Sequence, residues 1–163
     1  MNNMLPNIWR PDMTALLPAN PSISIGPALA WWMALLYLCA ITVRSLIHML
    51  FSDGGAQRIA TMDISGTGGA NLIAIFGQWG ASQLLLALLF WVLLFCYRGL
   101  VPLVLLIFIL EPALRAFVGY LKPVITEGVA PGVAFNWVVV PILAAVFFLS
   151  LCPAQSKGCT AKQ

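Results

Sequence analysis

Four long apolar stretches set the pattern of the chain. They run from Pro27 to Phe51, Ala70 to Tyr97, Leu100 to Lys122 and Val129 to Leu151, with polar or proline-broken segments before, between and after them. A helix rises 1.5 Å per residue, so about 20 apolar residues cross a hydrocarbon layer of roughly 30 Å. The pattern predicts an all-α protein, a polytopic integral membrane four-helix bundle. Residues 1–26 form a polar lead at the membrane surface, 27–151 the four-span bundle (27–51, 70–97, 100–122, 129–151) and 152–163 a polar tail.

Local signals refine each segment. In the lead, Pro6, Pro11, Pro18 and Pro21 break any helix, while Leu5, Ile8, Trp9, Leu16 and Leu17 suit the interface, with Trp9 and Arg10 at headgroup level. Pro27 fits the first turn of a helix, where its missing N–H is no loss. Trp31 and Trp32 open span 1 as an aromatic belt, and Arg44 and His48 share one face near its far end. Residues 52–69 are rich in glycine, but they lack the GK[ST] ending and the flanking strand of a phosphate loop, so they read as a flexible connection.

Span 2 is longer than a bilayer needs and must tilt or project its first turn. Its small residues, Ala70/Ala74 and Gly77/Ala81 together with Gly80, are the expected helix-packing positions. Asn71 and Gln78, seven apart, share a face, and Gln83 is expected to point elsewhere. Tyr97-Arg98-Gly99 is a tight turn that makes spans 2 and 3 a helical hairpin. Pro112 removes a hydrogen bond next to Glu111 and frees the carbonyl of Phe108.

Composition agrees with the pattern. Hydrophobic residues make up 61% and charged residues 8% of 163, and the mean hydropathy is +0.97; soluble domains carry about 25% charged residues. The net charge of +3 is spread out and leaves no footprint for nucleic acid. No basic segment is followed at once by a short apolar core, so no secretory signal is expected. Cys39 and Cys96 lie inside spans as small apolar side chains, and Cys152 and Cys159 have neither redox nor zinc spacing. Four spans put both termini on one side. Arg10, Arg98, Lys157 and Lys162 collect there, against Arg58 and Lys122 opposite, which predicts cytoplasmic termini in a bacterial-type inner membrane.

The candidate chemistry lies in the spans. Arg44 is seven residues from the end of span 1, Arg115 seven from the end of span 3, Gln78 eight from the start of span 2 and Asn136 seven from the start of span 4. Each is then roughly 10–12 Å below the same non-cytoplasmic surface, with His48 shallower and Glu111 deeper. The alignment predicts one polar network or cavity fed by all four helices. In one reading Glu111 neutralises an arginine and the amides satisfy the rest. In the other, two arginines against one glutamate leave a positive charge for an anionic lipid head or a quinone oxygen, with His48 near the mouth as a proton carrier. The sequence offers no nucleophile beside a base, and His48 and Glu111 are too few for a metal site.

The hairpin FGQWGASQLLLALLFWVLLFCYRGLVPLVLLIFILEPALRAFVG resembles the middle of small bacterial four-helix membrane proteins of the DoxX-like and DUF4345-like groups. The resemblance rests on Gly77 and Gly80, the run Leu84 to Phe95, Arg98, and Arg115 with Gly119. It implies the same four-helix architecture; the polar lead and Glu111-Pro112 depart from it, and the chain lacks the paired-cysteine motif by which the thiol or quinone redox link of some DoxX members would carry over. The functional expectation is an accessory or assembly subunit of a larger membrane complex, without catalysis of its own. No cofactor is expected on that reading. Its partners are the lipid bilayer and other membrane subunits or further copies of the chain. The alternative is a quinone- or anionic-lipid-binding membrane protein.

Overall fold

The computed structural model describes residues 3–128 and 131–154, with 131–134 as backbone alone. Among them there is no strand. Four long helices, α1 (Ala28–Leu50), α2 (Gly69–Cys96), α3 (Val101–Leu121) and α4 (Pro131–Ser150), follow the four apolar stretches within a residue or two. The first three are long and apolar enough to cross a membrane; the described apolar part of α4, Phe135–Ser150, is shorter. Pro112 and Pro141 lie inside α3 and α4 without ending them. Val129, Lys157, Cys159 and Lys162 lie outside the described residues.

The chain divides into two compact units, and each long helix contributes to both. One comprises the chain up to Leu36, Val92–Ile109 and the chain from Ile142. Here the lead supplies the hydrogen bonds that helix ends lack. The N–H groups of Ala28 and Leu29 donate to the carbonyls of Asn3 and Met4, and those of Asn7 and Asp12 donate to Pro153 and Leu151. The lead is thus tied to the start of α1 and the chain just past α4, while Leu5, Ile8, Trp9 and Leu17 stay exposed. Gly99 donates to the Pro21 carbonyl at 2.7 Å, an approach that leaves no room for a side chain. Trp31 caps this region: its indole donates to the Leu94 carbonyl at 2.8 Å, and the Arg98 guanidinium sits 4.8 Å from its ring.

The other unit comprises Tyr37–Trp91 and Leu110–Pro141. α1 and α2 close on each other at Gly80, where a Cβ would stand 2.8 Å from the Ser45 carbonyl oxygen and the Met49 nitrogen. The sequence reading spread this packing over Gly77, Gly80 and Ala81. At Gly77 a Cβ would only meet the His48 carbonyl at 3.8 Å, and Ala81 is exposed, as are Ala70 and Ala74. The helix turn decides this: residues at 80, 87 and 90 face inward together, and 81 lies ~100° away.

Residues 52–62 also differ from the flexible loop expected. Asp53 Oδ1 and Oδ2 accept from the N–H groups of Gly55 and Arg58 at 3.1 and 3.0 Å. Gly54 and Gly55 take left-handed φ angles of 59° and 74°, which glycine adopts without strain. Backbone bonds from Ile59, Ala60 and Met62 back to Gly55 and Ala56 close the fold, and Asp53–Ala56 are buried.

Candidate functional site

The polar side chains of α1–α4 meet within the second unit, around Glu111. Its Oε1 accepts from Gln83 Nε2 at 3.0 Å and stands 3.5 Å from Arg44 Nη2, while Oε2 is 3.3 Å from Arg115 Nη2. Arg44 Nη2 also donates to Gln83 Oε1 at 2.8 Å, and Arg115 Nη2 to Asn136 Oδ1 at 3.3 Å. Every long helix therefore supplies a member: Arg44 from α1, Gln83 from α2, Glu111 and Arg115 from α3, Asn136 from α4. Glu111 and Arg115 meet because residues four apart stand on one helix face, here with the acid on the favourable N-terminal side.

Two further side chains frame the cluster. The Arg44 guanidinium lies 5.4 Å from the Trp79 ring centroid, a cation–π contact that steadies its plane. Tyr37, two turns before Arg44, is within electrostatic reach of Glu111, Arg44 and Arg115.

The balance of charge and hydrogen bonds is uneven. Two guanidiniums face one carboxylate, a net charge of +1. Each arginine reaches Glu111 through Nη2 only, so neither makes the two-pronged pairing that gives arginine–carboxylate contacts their strength. The Nε atoms of both are enclosed and without a hydrogen-bond partner. Yet the side chains of Arg44, Arg115 and Glu111 keep 27%, 29% and 27% exposure, so the cluster is open on one side. Such an arrangement has donors that can engage a hydrogen-bond acceptor. Ser45, the nearest hydroxyl along α1, is buried and donates to the Ile41 carbonyl at 2.8 Å.

Of the residues expected together, Arg44, Glu111, Arg115 and Asn136 are joined, and Gln78 and His48 are not. Gln78 is exposed, and only its backbone carbonyl is engaged, by Ser82 Oγ at 3.0 Å. Gln83 takes the place foreseen for it. A signal for this lay in the helix period: Gly80, Ala87, Phe90 and Leu94 are buried, and Gln83 falls in that same 3-4-3-4 series. Gln78 is ~200° from Gly80 around the axis.

His48 is buried. Its Nδ1 is 2.7 Å from the Gly54 carbonyl, its face stacks on Trp79 at 5.0 Å and its edge meets Phe76 at 5.4 Å. A carbonyl only accepts, so Nδ1 carries the proton, and the ring fastens the end of α1 to the folded loop. The described cavity lies in the first unit rather than at the charges, lined by residues that include Ala30, Trp31, Gly99 and Ser150. No family model, curated protein or solved structure matches the chain.

Proposed function

We propose that the chain is a multi-pass protein of a bacterial-type cytoplasmic membrane, with cytoplasmic termini, that acts as one component of an assembly in the bilayer and catalyses no reaction of its own. Three helices have the length and apolarity to span. Large apolar side chains stand outward along them, Leu85 at 71%, Tyr120 at 84% and Trp137 on α4 at 81% exposure, a surface suited to lipid and costly in water.

The observation that carries the assembly reading is the outward face of α2. Asn71 and Gln78, two turns apart, are exposed on it with the small residues Ala74 and Ala81 alongside. Neither amide has a hydrogen-bond partner among the described residues. Gln78, more than two turns into α2, then faces hydrocarbon unpaired, which is unfavourable by several kcal/mol. A second helix brought close over the alanines removes that penalty, because an amide both donates and accepts, and such interhelical bonds contribute about 1–2 kcal/mol.

Native mass spectrometry after gentle extraction tests this. The wild-type chain is expected in a defined assembly larger than a monomer, and Gln78→Leu is expected to weaken it about fivefold or more. A wild-type protein found only as a monomer, or an assembly indifferent to Gln78→Leu and Asn71→Leu together, would falsify the proposal.

A further inference from the structure

We infer that the Arg44–Glu111–Arg115 cluster is a binding site for one monoanionic phosphate group, supplied by an anionic phospholipid that enters from the lipid side. The inference rests on the membrane placement proposed above but not on the assembly.

Three observations converge on it. The cluster has a net charge of +1, and an uncompensated cation in a low-dielectric surrounding calls for an anion. Both Nε donors are enclosed and unpartnered while all contacts to Glu111 run through a single Nη2 on each arginine, so donor capacity remains on both guanidiniums. The three side chains are each more than a quarter exposed, which leaves an approach. The phosphodiester of an anionic lipid such as phosphatidylglycerol carries a single charge and two unesterified oxygens, without the headgroup ammonium that already balances the same group in phosphatidylcholine. One oxygen can accept from each guanidinium, bringing the charge of the site to zero. A neutral quinone oxygen would accept a bond but leave the surplus charge in place. A phosphomonoester dianion would overshoot it.

Glu111 gives the proposal its sign. As the only anion in the cluster it repels a second one, and it also holds the two arginines in position. An anion site and a purely internal ion-pair network therefore predict opposite behaviour for Glu111→Gln. A ligand phosphate should bind the variant more tightly, whereas an internal network simply loses its centre.

The full chain is placed in nanodiscs of dioleoylphosphatidylcholine containing a minor share of dioleoylphosphatidylglycerol, and retained lipids are counted by native mass spectrometry. Wild type is expected to retain one phosphatidylglycerol with about tenfold preference over phosphatidylcholine. Arg115→Gln should abolish the preference and Glu111→Gln should increase it. The wild-type comparison stands without any variant, so misfolding of either substitution does not decide the outcome. In a parallel arm, inorganic phosphate is titrated into lipid-free protein in neutral detergent and thermal unfolding is followed. Stabilisation there, absent in Arg115→Gln, together with no preference among lipids, keeps the phosphate site but overturns its lipid source. No lipid preference and no phosphate effect overturn the site. Recovery of the chain as a soluble protein without detergent would refute the membrane placement, and the phosphate titration would still read the cluster.

Discussion

At the scale of single residues, Glu111 is held by contributions of unequal kind. Its bond from Gln83 is short, whereas its contacts to the two arginines are 3.3 and 3.5 Å. Gln83 bridges Arg44 and Glu111 with one amide, accepting from the first and donating to the second. Replacing it with leucine leaves both charged partners short of a bond. The expected loss is about 1–3 kcal/mol in stability, read as a fall in unfolding temperature in detergent. Gln78→Leu, on the exposed face, should change the stability of the isolated monomer by less than about 0.5 kcal/mol. Equal effects of the two substitutions would count against the observed geometry. The residue types of the site were legible in the chain, since an arginine or glutamate in an apolar helix must find a partner. Which glutamine joined them depended on the phase of α2, and that phase was fixed by Gly80, where α1 comes too close for any side chain.

At the scale of elements, the connection between α1 and α2 is a folded unit of its own. The Arg58 N–H, and to a lesser degree that of Gly55, holds the Asp53 carboxyl below its ordinary pKa, against the opposing effect of burial. A lowered carboxyl pKa contributes order that is fully present above the unfolded value of about 3.9 and is lost as pH falls through the folded one. Amide exchange at Gly55 and Arg58 should therefore stay slow from neutral pH down to the ordinary carboxylate range and quicken below it. Asp53→Ala should quicken it at neutral pH, by about fivefold to thirtyfold for a lost capping carboxylate worth roughly 1–2 kcal/mol, and the difference from wild type should vanish once the carboxyl is protonated. Exchange unaltered in that variant would show that the backbone bonds alone hold the loop. Glycine content made this stretch read as flexible. Its order comes from the paired left-handed glycines that let Asp53 turn onto its own backbone, and from His48 on the Gly54 carbonyl.

At the scale of the whole molecule, the lengths of the apolar helices and the outward apolar side chains argue for insertion in a bilayer. On the proposed reading four crossings return the chain to its starting side, and the bias of Lys and Arg is the argument for a cytoplasmic one. Reporter fusions at either terminus should both report a cytoplasmic position, and the protein should resist extraction by alkaline carbonate. A fusion pair reporting opposite sides would mean that one helix, with α4 the shortest in its described apolar part, does not cross.

The sequence by itself determined the four helices and their limits, because long apolar runs ended by glycine, proline and charge leave the backbone no other way to satisfy its hydrogen bonds in an apolar medium. It also determined that Arg44, Glu111, Arg115 and Asn136 would seek one another, because charges and amides are costly alone in apolar surroundings. Only the tertiary structure decided that Gln83 rather than Gln78 joins them, that His48 fastens a loop rather than guarding an entrance, and that two arginine Nε groups remain without partners. Those outcomes turn on helix rotation and on ångström-scale approach at Gly80 and Gly54, which the order of residues constrains but does not state.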